Sequence, residues 1–135
     1  MKKSLIPWVT AFFLVGCDGQ AKTDLVEQLR LKFEQDKELA DYQISAEEMS
    51  ECVGDKITKK IEGFPGSPKR NKIIKAYTKL VRVDPNEDFR PVLKETAEIF
   101  GSVGESHQAA GSITMANFEC VGELVTARPR EGDEG

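Results

Sequence analysis

The chain has 135 residues with 19 basic and 23 acidic side chains, one histidine and three cysteines, for a formal net charge of −4. That length suits one domain with a modest core, and a second domain is not expected. The acidic balance speaks against a nucleic-acid partner, which needs a basic stripe along the phosphates. Lys56, Lys59, Lys60, Lys69, Arg70, Lys72 and Lys75 do crowd together, but no aromatics alternate with them. They read as a solvated face or as a patch for an acidic partner.

In chain order, the first element is a leader. Lys2 and Lys3 give a positive start, Leu5 to Val15 an apolar run, and small Gly16 precedes Cys17. About eleven apolar residues are too few to span a bilayer, which takes about twenty. The run therefore reads as a processing signal. Leu14-Val15-Gly16-Cys17 resembles the lipobox of a bacterial lipoprotein. The resemblance implies that residues 1–16 are a signal peptide and that Cys17 becomes the lipid-modified first residue of the mature protein. It also implies, by enterobacterial-type sorting, that Asp18 beside it favours the inner membrane, with the protein facing the periplasm. Several acyl chains, at about 0.8 kcal/mol per buried methylene, make such an anchor effectively permanent. Removing 16 of 135 residues leaves 119, with 17 basic against 23 acidic side chains, or −6.

The rest predicts an all-α fold, a small bundle of four to five helices with one disulfide, because apolar residues recur at three and four rather than at two. Residues 17–22 are expected as a lipidated tether, 23–127 as the helical domain and 128–135 as a disordered tail. Ala21 to about Tyr42 is expected as one helix with Leu25, Val26, Leu29, Phe33 and Ala40 on its apolar face. Ser45 and Glu48 form a capping box for the next helix, with Ile44 stapling onto Met49. Its stripe is Met49, Cys52, Val53, Ile57 and Ile61, and Gly63 is expected to stop it. Ser67 and Pro68 suit the N-cap and first position of a third helix, striped by Ile73, Ile74, Tyr77, Leu80 and Val81.

A fourth, short helix is expected from Asp84-Pro85 to Gly101, with Phe89, Val92, Leu93, Thr96 and Phe100 inward and Pro91 in its first turn or kinking it. Gly101 to Ser106 reads as a loop. A last helix follows from His107 to about Ala127, with Ala110, Ile113, Asn117, Cys120, Val121 and Leu124 inward. Glu51-Cys52-Val53-Gly54 recurs as Glu119-Cys120-Val121-Gly122; the next three residues differ and Thr58 and Thr126 close both octets, so five of eight positions match. Chance between similar amphipathic helices is the preferred explanation over duplication. Gly54 and Gly122, each costing about 1 kcal/mol in a helix interior, are candidates for close helix crossings away from the cysteine faces.

With Cys17 spent on lipid, Cys52 and Cys120 form an even pair, and an oxidising periplasm predicts that they are joined; two free structural cysteines are the alternative. The bridge would close a loop of about seventy residues, worth roughly 4 kcal/mol. No Cys-x-x-Cys or Cys/His cluster marks a zinc or redox site, and no metal or cofactor is expected. Asp84, Asn86, Asp88 and Glu95 occupy four calcium-loop positions, but Phe89 replaces the glycine that the sharp turn needs. They read more simply as a helix cap. His107 has no nucleophile or orienting carboxylate in a recognisable motif, and Glu47, Glu48 and Glu51 read as solvated charge, so no catalytic residue is expected.

The expected function is therefore binding of a protein partner in the cell envelope, as a component or regulator of a complex. The loops at Gly63–Pro68 and Gly101–Ser106 permit close approach. The architecture also resembles, without a shared motif, small disulfide-bearing helical immunity proteins against periplasmic amidase toxins. That resemblance implies an immunity protein as one alternative. A carrier of a small apolar ligand is another; it would need a wide internal pocket between helices, and the sequence offers only ordinary core residues such as Phe33, Tyr77, Phe89, Phe100 and Phe118.

Overall fold

The spacing of three and four closes into helices from the first turn onward. A computed structural model of the protein describes residues 19–128. Among them are six helices and no strand: α1 (Gly19–Glu34), α2 (Lys37–Asp41), α3 (Ala46–Lys59), α4 (Pro68–Arg82), α5 (Arg90–Phe100) and α6 (Val103–Thr126). None is long and apolar enough to cross a membrane.

The count exceeds expectation because the first long helix is two. Leu25, Leu29 and Phe33 are buried at steps of four, but the next buried residue is Leu39, while Ala40 is exposed. The apolar phase slips, and the break falls at Gln35–Asp36. Asp36 there adopts an extended backbone and accepts the amide of Glu38 at 2.9 Å, capping α2. α1 also begins two residues before Ala21, so Gly19 and Gln20, expected within the tether, are helical.

Local signals held where a side chain caps. The Ser45–Glu48 capping box forms in both directions, and Ile44 and Met49 are both buried in one cluster. Ser67 accepts the amide of Arg70, and Pro68 opens α4. Three boundaries differ. α3 ends at Lys59 rather than Gly63, whose φ of 111° serves the turn that follows. α5 begins at Arg90: Asp84 instead accepts the amide of Asn86 in a tight turn, and Pro91 occupies the first turn of the helix. α6 begins at Val103, because Ser102 accepts the amide of Glu105 at 3.0 Å, leaving Gly101 and Ser102 as the only break before it.

α1 packs on α3 and α4, α6 on α3, α4 and α5, and α5 also on α4. The main core joins α1, α3, α4 and α6 through Leu25, Leu29, Met49, Val53, Ile57, Ile74 and Cys120. Fully burying such a leucine is worth about 1.5–3 kcal/mol. A smaller cluster of Leu80, Leu93 and Ala109 seats α5, with Tyr77 and Ile113 touching both and Tyr77 meeting Phe100 edge to face at 5.2 Å.

Two poles result. Lys22 pairs with Asp55 at 2.7 Å, and Arg70 donates to the carbonyls of Thr58, at 2.8 Å, and Ile61. The start of α1, the end of α3 and the start of α4 therefore share one end of the molecule. At the other, Lys32 near the end of α1 donates to Val81 O at the end of α4, and Arg128 donates to Tyr42 O and pairs with Glu48. Arg128 is thus held by the fold, although the disordered tail was expected to start there; residues 129–135 lie outside the described residues.

Candidate functional site

Cys17, Asp18 and the leader lie outside the described residues. The predicted pair Cys52–Cys120 forms a disulfide between α3 and α6, with Cα atoms 5.9 Å apart, within the normal span for such a bridge. Cys120 is fully buried and Cys52 half-buried.

The other residues considered for chemistry are not brought together. His107 is exposed on α6, and its side chain makes no hydrogen bond or ion pair among the described residues. Asp88 is engaged by Arg90, whose hydrogen bonds hold its carboxyl below the usual carboxylate range. Glu95 pairs with Lys79 at 2.6 Å, and Asp84 is spent on Asn86. The four calcium-loop positions therefore do not converge, and no group of three or more histidine, cysteine, aspartate or glutamate side chains able to hold a metal exists among the described residues. Of the acidic trio, Glu48 accepts the Ser45 amide and pairs with Arg128, and both contacts lower its pKa, the amide bond most.

The lysine cluster is also redistributed. Arg70 is buried on the carbonyls that end α3. Lys56 reaches across to α6, 2.6 Å from Glu123 and 3.4 Å from Glu119, and these bonds raise its pKa, the Glu123 bond first. Lys59, Lys60, Lys69, Lys72 and Lys75 remain exposed.

What the fold builds instead is a groove at the α2 pole. The break after α1 turns α2 back over the end of α1 and the start of α3, so that Phe33, Leu39 and Met49 form a buried floor. α6 supplies the facing wall through Thr114, Asn117, Phe118 and Val121, and the Cys52–Cys120 bridge ties that wall to α3 one residue from Val121. The groove has a volume of about 300 Å³. Tyr42 and Phe118 stand at its edge with 52% and 71% of their surfaces exposed. Asp36 and Glu38 line its rim, and the buried Oδ1 of Asn117 has no hydrogen-bond partner among the described residues.

Phe118 corrects an expectation, since it was placed with the core aromatics. At about 100° per residue it falls a quarter-turn off the stripe of Asn117, Cys120, Val121 and Leu124, which was the available signal. Tyr42 had none, because its exposure follows from the break at Asp36. Of the two loops expected to permit approach, Gly63–Pro68 is an open turn with Phe64 85% exposed, whereas most of Gly101–Ser106 is the first turn of α6. No family model, curated protein or solved structure matches this chain.

Proposed function

We propose that the protein is an envelope lipoprotein, anchored through Cys17 and facing the periplasm on the inner membrane, whose helical domain binds a protein partner in the α2–α6 groove. The observation that carries the binding part is the groove itself: an apolar floor of Phe33, Leu39 and Met49 with two large aromatics, Tyr42 and Phe118, left uncovered together at its edge. Exposed Tyr and Phe beside an apolar pocket are the kind of anchor on which interface energy concentrates. The anchoring part rests on the lipobox and on Asp18.

The charge around the groove supports a basic partner. Its charged groups, Asp36 and Glu38, and the unpaired Oδ1 of Asn117 are all hydrogen-bond acceptors. Residues 34–48 around it carry six acidic side chains against one basic, a net −5. The fitting occupant is a protein segment with an apolar anchor flanked by lysine or arginine. A complex subunit or a toxin could present such a segment, so regulator and immunity protein differ here only in the partner's identity.

The test is capture from gently solubilised envelopes with the lipidated, disulfide-intact protein, run beside F118A and Y42A. One stoichiometric partner, retained by the native protein and lost from both variants, is expected. A partner held equally by the variants would place binding elsewhere, and recovery of the protein alone at native expression would move weight to the ligand carrier.

A further inference from the structure

Charge is unevenly distributed between the two poles. At the groove pole residues 34–48 have a net charge of −5, offset in part by Lys32 and Arg128, whereas residues 59–72 carry five basic side chains against one acidic, a net +4. Arg70 is consumed in capping α3, but Lys59, Lys60, Lys69 and Lys72 are exposed. Between them Phe64 stands 85% exposed at the α3–α4 turn, a greater fraction than any other exposed large apolar side chain among the described residues. Gly63 and Gly66, both at positive φ, shape that turn, and Pro65 follows the aromatic.

This pole is also where the chain enters the domain. Lys22 on Asp55 sets the first turn of α1 beside the last turns of α3, and Cys17 is two residues from Gly19, at most about 7 Å of chain away. Fourteen residues of α1 then separate Gly19 from Phe33, about 21 Å along the helix. An exposed aromatic among lysines suits the headgroup region of an anionic leaflet, which attracts lysines and accepts amphipathic rings.

We propose that the α3–α4 turn, with Phe64 at its tip and Lys59, Lys60 and Lys69 around it, is a second membrane contact that seats this pole on anionic phospholipid and turns the α2–α6 groove away from the bilayer. The contact rests on the Cys17 anchor, which holds the turn near the lipid surface and makes a weak patch effective. The acidic pole is repelled by the same surface, so both ends favour one orientation.

The experiment places a reporter indole at the tip. The acylated mature protein, which lacks Trp8, is prepared as F64W and reconstituted into vesicles of phosphatidylglycerol and phosphatidylethanolamine with brominated chains. Blue-shifted, quenched emission is expected. It should be lost in vesicles of phosphatidylcholine with the same brominated chains, and the lipid-facing population should fall about fivefold for each lysine neutralised in K59Q, K60Q and K69Q. An F118W control, at the opposite pole, should emit as in water. Acylated protein whose F64W indole stays water-like on anionic vesicles, or whose F118W indole is quenched equally, overturns the contact alone. Protein from native envelopes with no acyl chain on Cys17 overturns the anchoring reading and this one together.

Discussion

Residues 51–58 of α3 and 119–126 of α6 share five of eight amino acids, and their local bonding is the same: Thr58 donates to Gly54 O and Thr126 to Gly122 O, each at 2.9 Å. Their surroundings are not. Val53, Gly54, Ile57 and Thr58 are buried, while Gly122, Val125 and Thr126 are exposed and Val121 only half-buried. A side chain added at Gly54 would place Cβ 2.7 Å from Val26 Cγ2, whereas one at Gly122 would meet nothing within 4 Å. The difference is one of coverage: α1 packs over the Gly54 face of α3, whereas the Gly122 face of α6 is open. Equal sequence thus yields equal helices and unequal burial. The expectation of two close crossings holds for Gly54 alone.

The bridge is the one feature that the two segments share fully, and breaking it gives the largest effect. C52S or C120S should lower stability by roughly 4 kcal/mol, since 68 residues separate the two cysteines. Denaturant unfolding of oxidised protein against each variant measures it, and a loss below about 1 kcal/mol would show that packing alone holds α6 on α3. Next, V53A should cost about 2 kcal/mol at a fully buried site, and V121A less than half of that, by the same measurement.

Alanine at the two glycines should give opposite signs. Overpacking at Val26 costs about 1–3 kcal/mol, against about 1 kcal/mol gained in helix propensity, so G54A should be neutral to destabilising. G122A should raise stability by up to about 1 kcal/mol. Adding V26A to G54A should recover part of the loss, which thermal unfolding of the four proteins would reveal.

The smallest effect concerns how the end of α6 is tied down. Glu48 has its pKa lowered in the fold, chiefly by the Ser45 amide and secondarily by Arg128. Its contribution is therefore complete above the pKa of an unfolded glutamate and is lost as pH falls through the lower folded value. E48Q should flatten the acid limb of the stability curve slightly, and a limb unchanged from that of the native protein would show that the cap is silent.

Most helices were legible because each carries its own start signal or stripe: Ser45 with Glu48, Ser67 with Pro68, and the spacing of Met49, Val53 and Ile57. Ser102 with Glu105 carried an equal signal that the glycines on either side masked. The groove was not legible. It depends on the break at Asp36, on Leu39 rather than Ala40 turning inward, and on Phe118 staying largely uncovered at the groove's edge. The poles fall between these cases, since the charge of each segment is written in the chain while its placement at an end is not.

The sequence by itself determined what depends on near neighbours: the helical period and most of the caps. The tertiary structure alone decided which glycine lies at a crossing, which lysines are consumed in pairing and which aromatics stay uncovered. The physical reason is range. A helix and its cap are set by contacts within four residues, but burial is set by whichever helix arrives from elsewhere in the chain, and no local pattern records its arrival.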